Sequence, residues 1–510
     1  LAVKIPSATV IGIEAIGVDV EIDISRGLPA FNIVGLPDTT VKEAKERIRV
    51  AIKNSGFDFP NGRITVNLAP AEVKKEGSLF DLPIAIGILV HRGIVDFKDV
   101  EDVLVLGELA LDGSVRRVRG VLPVAWKMRE WNLKRLIIPL ENLYEVLLVK
   151  KNFEDLEIYP VTSLVEAINA IKGWEEPTKT SLDVISIDQR FEIDFVDVEG
   201  QLAAKRAVEI AVSGGHNILL FGPPGTGKTM IAMRIPTIMP EMELNEIVET
   251  TAIYSVAGEL KEGEIIAKRP FRNPHHTISD VALLGGGTHF RPGEVSLANN
   301  GVLFLDELPE FRRNVIEALR QPLETGYISI GRVGYRVTLP AKFMLVTAMN
   351  PCPCGYLGHP TKECKCTPLE IKKYTNKVSG PILDRIDMTV EVAQEKKPVY
   401  KTSIIQGDRF TSKDMRSRVI EAREIQRRRF SDREYKYNSR IPPKDVKHFC
   451  KLSHEAEEVF DRAVKSLSLS MRGVHRTLKV ARTIADLDHS NFIERQHILE
   501  ALQYRGNLFN

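Results

Sequence analysis

A chain of 510 residues is too long for one hydrophobic core and implies about three domains. Its 43% hydrophobic and 27% charged residues are those of an ordinary globular protein, and 70 Lys and Arg against 68 Asp and Glu leave a formal charge of only +2. That balance excludes a global basic field as the means of holding nucleic acid, so any such site must be local.

At the start, Leu1 to Val10 lacks a charged segment followed by an apolar core and a small-residue cleavage site, which leaves a cytoplasmic protein as the expectation. Val18, Val20, Ile22 and Ile24 alternate with polar residues as in a half-buried strand. Thr39 to Asn54 reads as an amphipathic helix with Val41, Ala44, Ile48 and Ala51 on one face and Gly56 past its end. Arg63 to Leu68 and Val103 to Leu106 are strand candidates. Leu82 to His91 is an apolar helix, far short of the roughly 20 residues a membrane span needs. Residues 1–173 are thus an α+β domain. Residues 174–198 turn polar and lose periodicity, as a linker does.

Residues 199–395 form an α/β unit. Gln201 to Ser213 is helical, His216 to Phe221 is an apolar strand, and Gly222-Pro223-Pro224-Gly225-Thr226-Gly227-Lys228-Thr229 then opens a helix. This is the phosphate-loop pattern: glycines let backbone N–H groups face phosphate oxygens, Lys228 reaches the β and γ phosphates of ATP, and the Thr229 hydroxyl serves Mg²⁺. Downstream, Val302 to Leu305 is an apolar strand ending in Asp306 and Glu307. Asp306 is placed to hold the Mg²⁺, and Glu307 to polarise the attacking water as general base. A third strand, Phe343 to Ala348, leads to Asn350, either an amide that orients that water or a turn residue before Pro351.

Four of the five cysteines, Cys352, Cys354, Cys364 and Cys366, then follow within 15 positions. Four thiolates suit a structural Zn²⁺; redox-active thiols, a disulfide pair and a metal-free loop compete with it. The lone Cys450 reads as a helix core residue. Residues 396–510 are dominated by helical patterns, including His454 to Leu467 and Val474 to Leu487. Local cationic side chains of the kind that meet phosphates stand in two glycine-flanked hairpin candidates, Leu284 to Gly293 with His289 and Arg291, and Ile328 to Arg336 with Arg332. They also stand in Arg423 to Arg433, with Arg427, Arg428 and Arg429 consecutive. Each reads equally as a solvated hairpin or charged helix face.

The order of the phosphate loop, the acidic strand, Thr347-Ala348-Met349-Asn350-Pro351, Leu383-Asp384-Arg385 and Ser470-Met471-Arg472 resembles the magnesium-chelatase and MCM branch of AAA+ proteins. Within that branch the chain resembles the bacterial ComM family along essentially its whole length. Val34-Gly35-Leu36-Pro37-Asp38, Phe271-Arg272-Asn273-Pro274-His275-His276-Thr277, Pro292 to Ala298 and Ala481 to Leu487 look like its signatures. The resemblance implies an AAA+ core with a parallel sheet, an N-terminal Lon-protease-like (ribosomal S5-like) domain and a C-terminal helical lid. It implies Arg385 as a finger on the neighbouring subunit's ATP, Arg472 as sensor 2 and a homo-hexameric ring. It also implies a DNA-translocating branch-migration helicase in recombination or natural transformation, with no membrane partner. A magnesium-chelatase ATPase subunit and a protein-remodelling ATPase are the alternatives. In the Lon-like domain the nucleophilic serine is replaced by Ile84, and Leu122 stands near the position of its lysine, so protease chemistry is not expected.

Overall fold

The computed structural model of the chain describes residues 2–180, 191–287, 290–332, 335–359, 361–378, 380–394 and 410–505. Two compact units emerge from its contacts: Leu1–Asp188 with Glu243–Ala267 and His289–Pro292, and Gln189–Met242 with Lys268–Thr288 and Gly293–Asn510. The two units thus interleave along the chain. Within 174–198, the backbone of Thr178 bonds to Ile158 at 2.8 Å in the first unit, and Phe195 is fully buried in the core of the second.

In the first unit a four-stranded sheet runs in the order Val3–Ile11, Glu14–Ser25, Arg63–Ala69, Ala30–Val34. The helix Thr39–Asn54 starts where Asp38 accepts from the Val41 N–H, and it buries Val41, Ala44, Ile48, Ala51 and Ile52. Asp81–His91 is apolar on every face because almost its whole length is buried. A parallel three-stranded sheet follows, Val103–Val105, Arg135–Pro139 and Glu157–Val161. The helix Leu244–Ala257 also belongs to this unit, its Ser255 hydroxyl accepting from Gly120 N–H at 3.1 Å.

The second unit is built on a five-stranded, all-parallel sheet ordered Phe271–Arg272, Val302–Leu305, Met344–Met349, Ile218–Phe221, Met388–Glu391. Its central strands are apolar along their length because helices cover both faces. The helices Ser412–Arg429 and Met471–Leu487 share one core with this sheet through Met415, Val419, Ala481 and Ile484. The stretch Ala481 to Leu487 therefore serves structure. Arg482, 1% exposed, pairs with Asp486 at 3.1 Å, and Asp486 also takes Arg429 and Asn438 at 2.8 Å each. Cys450 is buried, and burial pushes its thiol up to about 12. Among the described residues no helix is long and apolar enough to cross a membrane.

Candidate active site

Three strands of the parallel sheet end on one edge, and each hands over a polar group there. The register pairs Phe221 with Met349 and Leu305 with Thr347, so Gly222, Asp306 and Asn350 emerge close together, at the carboxyl edge where open α/β sheets bind ligands. Gly225 and Gly227 hold φ of +78° and +92°, values that a Cβ penalises, and the helix Lys228–Ile238 begins at once.

The buried Lys228 ammonium donates to the carbonyls of Gly222 and Pro223 at 2.7 Å each and to Asn350 Oδ1 at 3.1 Å. Burial pushes its pKa down to about 8, with Asp306 and Glu307 pulling the other way. Thr229 donates its hydroxyl to Asp306 Oδ2 at 2.7 Å, and the other Asp306 oxygen accepts from the Glu307 N–H at 2.9 Å. The Thr226 hydroxyl closes the loop on Pro223 O at 3.0 Å. Glu307 sits in the left-handed region at φ +52°, an expensive backbone state for a glutamate that turns it out of the strand. Chemically the cluster offers an ammonium for phosphate, a hydroxyl and carboxylate for a divalent cation, and a second carboxylate for a water.

Two residues that sequence reasoning did not place at the site also reach it. His276 brings Nδ1 to 3.6 Å from Glu307 Oε2 and lies edge-on to Phe311. Tyr374 packs in one apolar cluster with Met349, the residue before Asn350, and burial foremost pushes its pKa up to about 12. The paired histidines were visible in the chain, but only the fold brings the strand before them beside Val302–Leu305.

Arg385 and Arg472 are not brought to the lysine of their own chain. The Arg385 carbonyl accepts from the Asn217 side chain at 2.8 Å, at the opposite, amino edge of the sheet. From Asn217 to Gly222 the strand covers roughly 15 Å. The Arg385 guanidinium pairs with Glu324 and donates to Pro381 O at 2.6 Å, while Arg472 pairs with Asp384 at 3.5 Å. Burial and then the charges of Arg320 and Arg472 lower the Arg385 pKa. Among the described residues, Arg385 Nε, Arg476 Nε and Arg505 Nη1 are buried without a hydrogen-bond partner in the protomer.

The four cysteines of the 352–366 loop come together as free thiols, every pair of sulfurs within 4.8 Å. Cys352 lies 3.3 Å from Cys354 and 3.6 Å from Cys364, and Cys354 lies 3.7 Å from Cys364. Backbone N–H groups of Tyr356 and Lys365 donate to Cys354 and hold its pKa down to about 6.

Of the cationic segments, Tyr327–Arg332 and Tyr335–Pro340 do form an antiparallel hairpin, with Ile328, Val337 and Leu339 buried and Arg336 exposed. His289 and the side chain of Arg332 lie outside the described residues, and Arg291 is exposed. The arginine run is engaged by the protein itself: Arg427 and Arg428 pair with Glu424 at 2.9 and 3.2 Å, and Arg429 with Asp486.

Family models describe the sequence as "Magnesium chelatase, subunit ChlI" over residues 194–399, "Subunit ChlI of Mg-chelatase" over 20–142 and "Magnesium chelatase, subunit ChlI C-terminal" over 409–505. The chain is 43% identical over 503 residues to the competence protein ComM of Haemophilus influenzae, covering 97% of this chain and 96% of that one. It is 41% identical over 501 residues to the uncharacterized protein YifB of Escherichia coli, covering 97% and 95%. A magnesium-chelatase subunit ChlI of Trieres chinensis is 26% identical over 270 residues, 47% of this chain and 68% of its own.

The chain belongs to the ComM family.

The segments Phe271 to Thr277 and Pro292 to Ala298 clasp each other here, Arg272 meeting both oxygens of Glu294 at 2.6 and 2.8 Å. That bidentate pair ties the edge strand before the two histidines to the short helix Glu294–Leu297. In the first unit of this ComM-family chain, Ile84 and Leu122 are both fully buried core residues.

Proposed function

We propose that this chain is an ATP-hydrolysing motor, one protomer of a homo-hexameric ring that moves DNA in branch migration during recombination or natural transformation. The observation that carries the hydrolytic part is the convergence of Lys228, Thr229, Asp306, Glu307 and Asn350 on one edge of the parallel sheet. Lys228 holds the β and γ phosphates, Thr229 and Asp306 hold the Mg²⁺, Glu307 takes the proton of the attacking water and Asn350 orients that water. Magnesium supplies charge neutralisation at the phosphates when bound.

The ring is supported by the opposite edge. Arg385 and Arg472, a sheet's length from their own phosphate loop, suit the triphosphate of a neighbour. DNA as the load is supported by the full-length similarity to a protein named for competence and by the exposed Arg336 of the hairpin. A magnesium-chelatase ATPase subunit is the second reading, favoured by the family models; the Trieres chinensis subunit aligns with only 47% of the chain.

The four thiols are proposed to hold a structural Zn²⁺. Zn–S bonds of about 2.3 Å in a tetrahedron set sulfurs roughly 3.8 Å apart, and four thiolates leave no open position. The observed separations of 3.3, 3.6 and 3.7 Å sit close to that spacing.

The test is ATP turnover with and without single-stranded and forked DNA at low salt, with Glu307→Gln as the control. DNA should raise the rate of the wild-type chain, and the variant should bind nucleotide while losing about 10²-fold or more in turnover. DNA that neither binds nor stimulates would remove the motor reading and leave the ATPase.

A further inference from the structure

The thiol loop is joined to the nucleotide site at three points. Asn350 lies two residues before Cys352, which is fully buried. Gly355, whose N–H bonds to the Cys352 carbonyl at 2.9 Å, has φ +82°, and a Cβ there would lie 2.7 Å from Pro224 Cδ and 3.9 Å from Asn350 Cγ. The loop backbone therefore rests directly on the phosphate loop, with no room for a side chain between them. At its far end, Cys366 is followed by the Thr367 cap of the helix Pro368–Thr375, whose Tyr374 packs in one apolar cluster with Met349, the residue before Asn350. Both ends of the four-thiol segment are thus tied to the strand end that carries Asn350.

We propose that the metal-loaded thiol loop is a brace for hydrolysis: it fixes Asn350 against Lys228 and caps Pro224, so that metal occupancy sets the hydrolytic rate and not nucleotide affinity. This rests on the zinc reading above. The separation of rate from affinity follows from what holds each part. The phosphate loop keeps its shape through bonds of its own, Lys228 to Gly222 and Pro223, Thr226 to Pro223, and the Gly222 N–H to the Met349 carbonyl at 3.3 Å. Asn350 has no regular element beyond it. Its strand ends at Met349, and the next fixed points are the clustered sulfurs and Tyr374. A water-orienting amide that drifts by about 1 Å loses rate steeply, on the order of tenfold to a hundredfold, while ground-state binding is little changed.

Three full-chain variants test this, each read for zinc per chain, dissociation constant for Mg-ATP and single-turnover hydrolysis. Cys364→Ser should lose zinc and at least about tenfold in rate with the dissociation constant within about threefold. Cys364→His, which restores a zinc ligand, should recover metal and rate. Gly355→Ala keeps all four thiols and lifts the loop from Pro224, so it should lose rate while retaining zinc. Zinc lost from Cys364→Ser at wild-type rate would overturn the brace and leave the zinc site standing. A wild-type chain that neither purifies with zinc nor takes up added Zn²⁺ would overturn the zinc reading and the brace with it. If Cys364→Ser does not fold, a wild-type rate in Gly355→Ala is the outcome that overturns the brace.

Discussion

Lys228 gives up charge stability to sit where it does. Its ordinary pKa of 10.5 falls to about 8 because burial outweighs the pull of Asp306 and Glu307. A phosphate chain beside the ammonium favours the charged form, so binding raises that pKa and takes up a proton whenever the free site has lost it. Linkage then fixes the sign: affinity for a non-hydrolysable nucleotide is flat from pH 7 to about 8 and falls above it, by up to about tenfold per pH unit. Titrations from pH 7 to 9.5 check this, and a flat profile would mean that Lys228 stays charged or does not touch phosphate. Most of this residue chemistry was legible in the sequence, because the glycine, lysine, threonine and paired-acid spacings are local. His276 and Tyr374 were not, since their roles depend on which strand or helix lies alongside.

Between elements, the helices Thr39–Asn54 and Asp81–His91 are pinned by Arg47 and Asp81, 2.9 Å apart, with Asp81 1% exposed. Burial drives the Asp81 pKa from 3.8 to about 6 against the opposing pull of Arg47 and the Leu109 N–H. A folded-state carboxyl raised in this way contributes stability fully below about pH 4 and loses it as pH rises through about 6. Arg47→Met removes the main force holding the value down, so the loss extends to higher pH. The variant should differ little from wild type at pH 5 and be less stable by about 3 kcal/mol at pH 8, measured by urea unfolding at both values. An equal deficit at both pH values would assign Arg47 to packing alone. Helices such as Thr39–Asn54 were readable to the residue, since Asp38 caps the start and Gly56 follows the end. The membership of Leu244–Ala257 in the first unit was not, because it rests on contacts such as Ser255 with Gly120 across a long stretch of chain.

For the whole molecule, the question is whether a protomer completes its own site. Lys228 and Arg385 belong to opposite edges of one sheet, and the geometry of a single chain keeps them apart. In a ring where Arg385 serves the next protomer, two inactive variants can repair each other. Lys228→Ala binds no nucleotide but still offers its arginine; Arg385→Ala binds nucleotide but offers none. Mixed rings contain interfaces at which an intact phosphate loop meets an intact arginine. ATP turnover of the mixture should therefore rise well above that of either variant alone, peaking near equal proportions, while Arg385→Ala keeps nucleotide affinity within about threefold of wild type. If Arg385 acted within its own chain, every protomer in the mixture would lack one essential group and the rate would only average the two. Restored turnover identifies the interface as the catalytic unit.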